Sequence, residues 1–284
     1  MSEASVATSA ASPSVPQAPA PLSPAQVERK AEATALAKAE SPAASAFVLA
    51  LLAGAFIGIG ATFMLVVKAD PTLPFAASTL LGAFAFVAGL FLVLAAGAEL
   101  FTGDCLMVMG PLAGKVSWGK VAGRLALVYV GNLLGSVAMA ALVLGAGVAQ
   151  LNGGAFGDAA VAVATAKTSM GWGTIFFRGI LCNMLVCLAV WIGYSATSVA
   201  DRPVAALLPV MAFIAAGFEH CVANMFFLPY AIMLEGAGVA SGNVGLGGLL
   251  HNLSAATLGN MVGGMVLVGI AYWFAYGRVA SEKA

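Results

Sequence analysis

Long uncharged apolar segments separated by short polar ones make up most of the chain from residue 46 onward. A helix needs about 20 predominantly apolar residues to cross a bilayer. Six segments meet this length: 46–67, one that starts near residue 75, 125–144, 175–194, 204–234 and 253–276. The second segment is interrupted at Glu99 and the fifth at Glu219. The pattern predicts an all-α polytopic membrane protein with six transmembrane helices, of which helices 2 and 5 are broken.

The two halves of this pattern resemble one another. The second segment contains "AAGAEL" and the fifth contains "AAGFEH", while the third contains "GNLLG" and the sixth "GNMVG". Three spans per half is an odd number, so the second copy must enter the membrane upside down, which predicts two inverted three-helix repeats. The G-N-x-x-G pairs also have a simpler interpretation, because small residues four apart let helices approach closely.

Composition supports a membrane setting. The chain of 284 residues is 61% hydrophobic and 8% charged, whereas soluble domains are about 25% charged. The formal net charge of zero argues against a nucleic-acid partner, and the N-terminus lacks the pattern of a secretory signal. The four cysteines lie in apolar segments without a C-x-x-C motif, so we expect small buried hydrophobes, with no disulfide framework and no metal site.

The ends of the chain differ from the apolar part. Residues 1–23 are rich in Ala, Pro and Ser, which is typical of a disordered tail. Residues 24–41 predict a short cytoplasmic helix with Ser23 as its N-cap, too polar to enter lipid and expected on the membrane surface or against a pore mouth. Residues 42–278 then form the transmembrane channel domain, and 279–284 a C-terminal tail.

The distribution of Lys and Arg predicts the orientation. With both termini on one side, that side holds nine basic residues and the other side holds Lys68, Lys167 and Arg178. Because cytoplasmic loops carry the excess of Lys and Arg, both termini are expected in the cytoplasm.

Two ionisable residues, Glu219 and His220, interrupt the apolar fifth segment. Placing such groups at mid-bilayer costs about 2.5–3.5 kcal/mol each on insertion scales, so their default interpretation is functional. Adjacent residues on a helix point about 100° apart, so one can face a pore while the other holds the broken backbone. We expect the Glu219 carboxylate to accept hydrogen bonds from free N–H groups of a half-helix, with Glu99 its equivalent, and His220 to face the conduction path. The alternative for His220 is a histidine satisfied in the core.

Four segments give this pattern a specific resemblance. "GAELFTGD", "GILCNMLVCLAVW", "GFEHCVANM" and "TLGNMVGG" resemble the signature segments of the formate/nitrite transporter family. The resemblance implies an aquaporin-like fold assembled as a homopentamer in the bacterial inner (plasma) membrane, with a pore in each protomer. Family members pass small monovalent anions such as formate, nitrite or hydrosulfide, often with a proton and without a cofactor.

The resemblance also implies roles for individual residues. His220 would face the pore centre with Thr102 opposite, and Asn183 and Asn224 nearby would supply further uncharged donors. Lys167 would attract anions in the outer vestibule. Two apolar constrictions would bracket this chamber, the outer one formed by Phe86 and Phe213, and the inner one by Leu90, Leu100, Phe101 and Val186.

A bare anion loses several kcal/mol of solvation in an apolar ring, whereas a low dielectric raises the pKa of a weak acid and favours its neutral form. The proton that neutralises the anion would come from His220, or from water while His220 stabilises the anion. Asp104 is a departure from the family, and we expect it to cap the half-helix beginning at Cys105. Cys221 replaces a more usual small hydroxyl and should have little effect, and His251 is expected to be an interfacial residue or a cap.

Two other classes of function compete with the anion channel. A neutral-solute channel for water or glycerol would carry paired N-P-A motifs at its half-helix starts, and neither break has one. An intramembrane enzyme would require a nucleophile elbow or an H-E-x-x-H motif, both of which the sequence lacks. Among anions formate is favoured, with nitrite, hydrosulfide or lactate as alternatives.

Overall fold

The computed structural model describes residues 20–277, so most of the predicted tail at 1–23 and the tail at 279–284 lie outside the described residues. The described chain is all-helical. Its α-helices in chain order are α1 Pro24–Glu40, α2 Ala43–Lys68, α3 Phe75–Ala96, α4 Phe101–Asp104, α5 Met109–Leu112, α6 Trp118–Gly145, α7 Ala155–Thr168, α8 Trp172–Tyr194, α9 Asp201–Ala215, α10 Cys221–Gly236 and α11 Gly245–Met261. A 3-10 turn, Cys105–Val108, joins α4 to α5, and α11 continues into π-helical turns that reach Gly277.

Five helices within residues 20–277 are long and apolar enough to span a membrane: α2, α3, α6, α8 and the continuous stretch Gly245–Gly277. The apolar segment predicted at 204–234 is divided into α9 and α10, and neither half alone reaches the length of a span. The sequence did not predict α7, which lies between α6 and α8 and carries Lys167.

Close helix packing explains the small residues of the two G-N-x-x-G motifs. A Cβ atom at Gly135 on α6 would lie 2.0 Å from the carbonyl oxygen of Leu51 on α2, and one at Gly263 just after α11 would lie 2.1 Å from that of Ile180 on α8. Neither position has room for a side chain. The simpler interpretation of the motifs is therefore correct, and α2–α6 and α8–α11 are the close pairs of the two halves.

Helix α1 docks on the transmembrane domain through polar contacts. Lys30 Nζ donates to the Tyr194 carbonyl oxygen at 2.7 Å, and Ser195 Oγ donates to the Leu22 carbonyl oxygen at 2.9 Å. Glu32 forms an ion pair with Lys115. At the start of the helix the Ser23 N–H donates to the side chain of Gln26, one half of a capping box. The helix thus packs on the protein.

Candidate functional site

Two breaks at equivalent points of the halves define the site. Helix α3 ends at Ala96 and the chain becomes helical again at Phe101, while α9 ends at Ala215 and α10 begins at Cys221. Gly97 and Gly217, the glycines of the two A-A-G motifs, have φ of 76° and 68°. Only glycine adopts this left-handed region at little cost, so each motif ends a helix where the chain must turn.

A buried asparagine of α6 holds the first break. Asn132 accepts a hydrogen bond at Oδ1 from the Phe101 N–H at 2.8 Å. Its Nδ2 donates to the carbonyl oxygens of Ala50 at 2.8 Å and Glu99 at 2.9 Å. One side chain therefore satisfies backbone groups that the interruption leaves without helical partners.

Asn260 of α11 does the same at the second break. Its Oδ1 accepts from the Cys221 N–H at 2.9 Å, and its Nδ2 donates to the carbonyl oxygens of Gly179 and Glu219, both at 2.8 Å. Sequence reasoning missed both asparagines, although they are the polar residue of each G-N-x-x-G motif. An amide buried among small residues in an apolar helix was the signal, because such a group requires partners.

The glutamates of the breaks bind lysines. Lys167 on α7 lies 2.9 Å from Glu219 Oε1, and the other oxygen of Glu219 accepts from the side chains of Asn224 at 2.7 Å and Asn252 at 3.0 Å. The expectation that this carboxylate receives half-helix N–H groups is therefore wrong, since Asn260 and His220 bind those N–H groups. Lys167 is also no free cation, because its charge is paired.

The equivalent cluster at the first break contains a lysine that sequence reasoning missed. Lys38 at the end of α1 lies 2.9 Å from Glu99 Oε2 and 2.5 Å from Asp104 Oδ1. Although burial alone lowers the pKa of the Lys38 ammonium, the carboxylates of Asp104 and Glu99 raise it above its ordinary value. The half-helix begins at Phe101, not at Cys105, so the expectation that Asp104 caps it is wrong, and its carboxylate binds Lys38 instead.

His220 and Thr102 meet where the two breaks approach each other. His220 Nε2 lies 2.9 Å from Thr102 Oγ1, and His220 Nδ1 accepts the Ala223 N–H at 3.0 Å. A nitrogen that accepts carries no hydrogen, and a neutral imidazole has one N–H. The proton is therefore on Nε2, which donates to the threonine oxygen and leaves the threonine hydroxyl hydrogen available to another acceptor.

The two asparagines predicted to be free donors already donate hydrogen bonds to other groups of the protein. Asn183 Nδ2 donates to the carbonyl oxygens of Thr102 at 3.1 Å and Asn260 at 2.7 Å. Asn224 Nδ2 donates to Glu219 and to Asn252 Oδ1, each at 2.7 Å. Since the partners are acceptors, both amides have a fixed orientation. The atoms without a partner among the described residues are their Oδ1 oxygens, so the expectation of free donors is wrong.

Two cavities reach the site from opposite ends. We name them the α1 mouth, of about 200 Å³, whose lining includes Lys38, Glu99, Asp104, Leu90 and Leu100, and the α7 mouth, of about 210 Å³, whose lining includes Lys167, Glu219, Phe227, Ala223 and His220. No described residue lines both cavities, so the two are separate. We call the stretch between Leu100 and His220 that separates them the closed point. His220 itself is 3% exposed and borders the α7 mouth.

Aromatic rings surround the histidine. Phe213 stacks on the His220 ring with centroids 5.8 Å apart, and Phe86 meets Phe213 edge-on at 6.1 Å. Phe101 differs from its predicted place at a constriction: its ring packs on Tyr129 at 4.9 Å and lines an apolar groove between α6 and α11, away from both mouths. That assignment is therefore wrong. Val186 is buried on α8 and borders neither mouth.

His251 lies outside this arrangement, whereas Cys187 reaches it, because its Sγ donates to the Thr102 carbonyl oxygen at 3.3 Å. His251 Nε2 donates to the Met170 carbonyl oxygen at 2.9 Å, which joins α11 to the end of α7. Cys105, Cys182, Cys187 and Cys221 are all free and buried.

Comparison with known proteins identifies the family to which this fold and these motifs belong. A family model described as Formate/nitrite transporter matches residues 25–274. The chain belongs to the formate/nitrite transporter family. The resemblance of the four signature segments is thereby confirmed.

Similar members of the formate/nitrite transporter family cover most of the chain. The formate channel FocA of Escherichia coli K12 is 35% identical over 271 residues, 90% of this chain and 95% of the relative. The nitrite transporter NirC of Salmonella typhimurium is 37% identical over 232 residues, 81% and 82% of the two chains. These relatives are named as a channel and a transporter, in agreement with the expectation that the chain is not an enzyme.

A solved structure of the formate/nitrite transporter family has the same fold. A pentameric formate channel with formate bound superposes with a TM-score of 0.74 at 37% identity, covering 82% of this chain and 97% of that one. The all-helical architecture with several apolar spans is thus that of a membrane channel.

Proposed function

We propose that this protein is a membrane channel for small monovalent anions of weak acids, with formate as the preferred substrate. It crosses the bacterial inner (plasma) membrane six times in two inverted repeats, with both termini in the cytoplasm. It assembles as a homopentamer in which each protomer has its own pore. The similar pentameric formate channel supports the assembly and the anion, and the excess of Lys and Arg on the side of the termini supports the orientation.

The observation that carries the proposal is the 2.9 Å contact between His220 Nε2 and Thr102 Oγ1 at the closed point between the two mouths. These are uncharged donors in an otherwise apolar passage. We place the outer constriction at Phe213, which stacks on His220, and at Phe86, which meets Phe213. We place the inner constriction at Leu90 and Leu100, which line the α1 mouth.

The lysines admit the anion without trapping it. Each mouth contains an ammonium, Lys38 or Lys167, already paired with a carboxylate. A paired ammonium retains N–H groups that can be offered to an arriving anion, and its positive field is reduced by its partner. Binding is therefore strong enough to draw the anion in and weak enough to release it, as conduction requires.

Proton coupling follows from the state of His220. The neutral ring holds its proton on Nε2, and losing that proton would require an imidazolate. Forming the imidazolium would place a second N–H at Nδ1, facing the Ala223 N–H, and would break that bond. We therefore assign His220 the role of hydrogen-bond donor to the anion, while the anion takes its proton from water in a mouth.

Formate uptake into proteoliposomes tests this function. Wild type should take up formate, and His220→Ala and Thr102→Ala should each reduce uptake at least tenfold, since each removes a donor at the closed point. His251→Ala is the matched control and should transport as wild type. Unchanged uptake in both site variants would refute the mechanism.

Nitrite is the second candidate, favoured by the 37% identity to the nitrite transporter NirC. Competition among formate, acetate, nitrite, lactate and hydrosulfide in the same vesicles ranks the substrates. Nitrite competing more strongly than formate would make nitrite the preferred anion. Osmotic swelling in water or glycerol without anion uptake would instead indicate a neutral-solute channel.

A further inference from the structure

The clusters at the two mouths differ in the residue that lies five positions after the glutamate of each break. Five residues after the glutamate of each break lies Asp104 in the first half and Asn224 in the second. Both side chains are buried, at 3% and 0% exposure, and each has one oxygen without a hydrogen-bond partner among the described residues. In both halves a lysine is bound to the glutamate, and Asn252 of the second half, which donates to Glu219, has Arg124 at the corresponding place of the first half. The α1 mouth therefore contains an acid where the α7 mouth contains an amide.

This difference changes the hydrogen bonds that the glutamate carboxylate of each break can form. In the second half Asn224 donates an N–H to Glu219 at 2.7 Å. In the first half the carboxyl groups of Asp104 and Glu99 both contact the Lys38 ammonium, at 2.5 Å and 2.9 Å, and both line the α1 mouth. Two ionised carboxylates have no hydrogen to share. The contact that Asn224 makes with its amide hydrogen is therefore available to Asp104 only when one of the two carboxyl groups is protonated.

The charged and titratable groups around Asp104 and Glu99 allow one of these two carboxyl groups to hold a proton. Lys38 of α1 contacts both carboxyl groups. Arg124 of α6, Arg202 of α9 and Lys30 of α1 are further cations around this mouth, and each donates to backbone carbonyl oxygens rather than to a carboxylate. From α8 the phenol of Tyr194 and the thiol of Cys187 face the pair, and Cys105 follows it in the chain. One ammonium is thus in direct contact with two buried acids.

We propose that Asp104 and Glu99 form a proton-binding site at the α1 mouth, absent from the α7 mouth, whose occupancy sets how readily the α1 mouth admits an anion. The proton adds to a carboxylate oxygen and forms a neutral carboxyl group. Occupied, the site leaves one carboxylate balanced by Lys38, so an arriving anion is no longer repelled; empty, the two carboxylates outnumber the ammonium and repel the anion. This inference rests on the proposed function for its consequence, but the proton site itself can be measured without transport.

Infrared spectroscopy of the reconstituted protein detects the site directly. All spectra are recorded on protein that carries Glu28→Gln, the background protein, because buried Glu28 would contribute its own carboxyl band. Between about pH 5 and pH 7, where exposed carboxyl groups with a pKa near 4 are ionised, the background protein should show a carboxylic acid C=O band that Asp104→Asn abolishes. The absence of such a band, or an unchanged band in Asp104→Asn, would refute the proton site.

Formate uptake tests the consequence. When the pH is raised on the α1 side alone, wild-type uptake should fall, and Asp104→Asn should transport about three- to tenfold faster than wild type at the alkaline end while matching it at the acidic end. The reciprocal change Asn224→Asp should create the same pH dependence at the α7 mouth. Pentamers of each variant are verified by gel filtration.

The outcomes separate the two claims. If the carboxyl band responds as expected but no variant transports formate, the proposed function fails and the proton site stands. If wild type transports formate but the band is absent, the proton site fails alone. If the band is present and the pH dependence is unchanged in Asp104→Asn, the proposed control of the mouth is refuted.

Discussion

Lys38 and Lys167 form the same ion pair in the two halves of the protein, each 2.9 Å from the glutamate of a helix break. The equivalence extends to the backbone. Lys38 precedes Leu49 by 11 residues, as Lys167 precedes Arg178, and the carbonyl oxygens of Leu49 and Arg178 accept the N–H groups of Glu99 and Glu219. Each structural half therefore includes the helix before its first long span, so α1 and α7 are counterparts.

Breaking one of these pairs should be costly. Lys167→Met leaves the carboxylate of Glu219, which is 2% exposed, without its cation. Removing one partner of a buried pair typically costs about 3–5 kcal/mol, so we expect a large fall in the unfolding temperature of the purified pentamer. Lys167→Met combined with Glu219→Gln should recover part of this loss, because the uncompensated charge is gone.

The exposed pair Lys120–Glu40 is the control for this experiment. Its atoms are 3.9 Å apart and the side chains are 48% and 60% exposed. Exposed pairs contribute about 0–1 kcal/mol, so Lys120→Met should barely change the unfolding temperature. Equal effects of Lys120→Met and Lys167→Met would contradict the role given to burial.

The asparagines that hold the breaks should be equally sensitive. Asn132→Leu leaves the Phe101 N–H and the Glu99 carbonyl oxygen unsatisfied in the core, and Asn260→Leu leaves the Cys221 N–H and the Glu219 carbonyl oxygen. A buried unsatisfied group costs about 1–3 kcal/mol, so both variants should yield little folded pentamer by gel filtration. Asn152→Gly, which removes a peripheral hydrogen bond at a residue with φ of 51°, should yield normal amounts. Normal pentamer from either leucine variant would contradict this account.

The glycines of the A-A-G motifs provide a test of backbone conformation alone. At Gly97 an added Cβ would meet nothing within 4 Å, yet φ is 76°. Gly97→Ala should therefore destabilise by about 1–2 kcal/mol through the left-handed backbone, and Gly217→Ala by a similar amount. Gly123→Ala, at an open position within α6, should stabilise by up to about 1 kcal/mol. Thermal unfolding of the three variants measures the expected losses and the expected gain of stability. A Gly97→Ala variant as stable as wild type would contradict the left-handed turn at Gly97.

Docking of α1 should depend on pH through Glu28. Burial, followed by the hydrogen bond with Glu32, raises the pKa of Glu28 to about 8 from its ordinary 4.5. The docked state therefore binds a proton that the undocked state releases, so docking is strongest below about pH 4.5 and weakens as pH rises toward about 8. Hydrogen exchange of α1 amides should increase over that range in wild type and much less in Glu28→Gln. The same increase in both proteins would show that another group is responsible.

The sequence was sufficient to predict the apolar segments, because the length and composition of a span are local properties. It also located both breaks, since charged residues in an uncharged segment and a repeated A-A-G-x-E motif are visible without a structure. What remained hidden depends on contacts between segments far apart in the chain. Asn132 reaches Glu99, 33 residues away, and no local pattern shows which amide binds which break.

Residues of the candidate site illustrate the same limit. Lys167 was found as a cation near the fourth span, but its partner Glu219 lies 52 residues later, so the pairing was not predictable. Lys38 lies on the polar helix that was expected on the membrane surface or against a pore mouth, but no pattern identified Lys38 itself as a site residue. Asn183 and Asn224 were expected beside His220 and Thr102; Asn183 donates to the Thr102 carbonyl oxygen, whereas Asn224 donates to Glu219 and Asn252. The direction in which an amide points depends on its acceptors, which only the fold brings together.

The most direct test of the central claim is the ¹⁵N NMR spectrum of histidine-labelled protein in bilayers, recorded with and without formate. The chain has two histidines, so His251→Gln leaves the signals of His220 alone. From about pH 5 to pH 8, where an ordinary imidazole titrates, His220 should remain neutral with its proton on Nε2, and formate should shift the Nε2 signal while Nδ1 stays nearly unchanged. An imidazolium at pH 6, or a ring indifferent to saturating formate, would contradict the account.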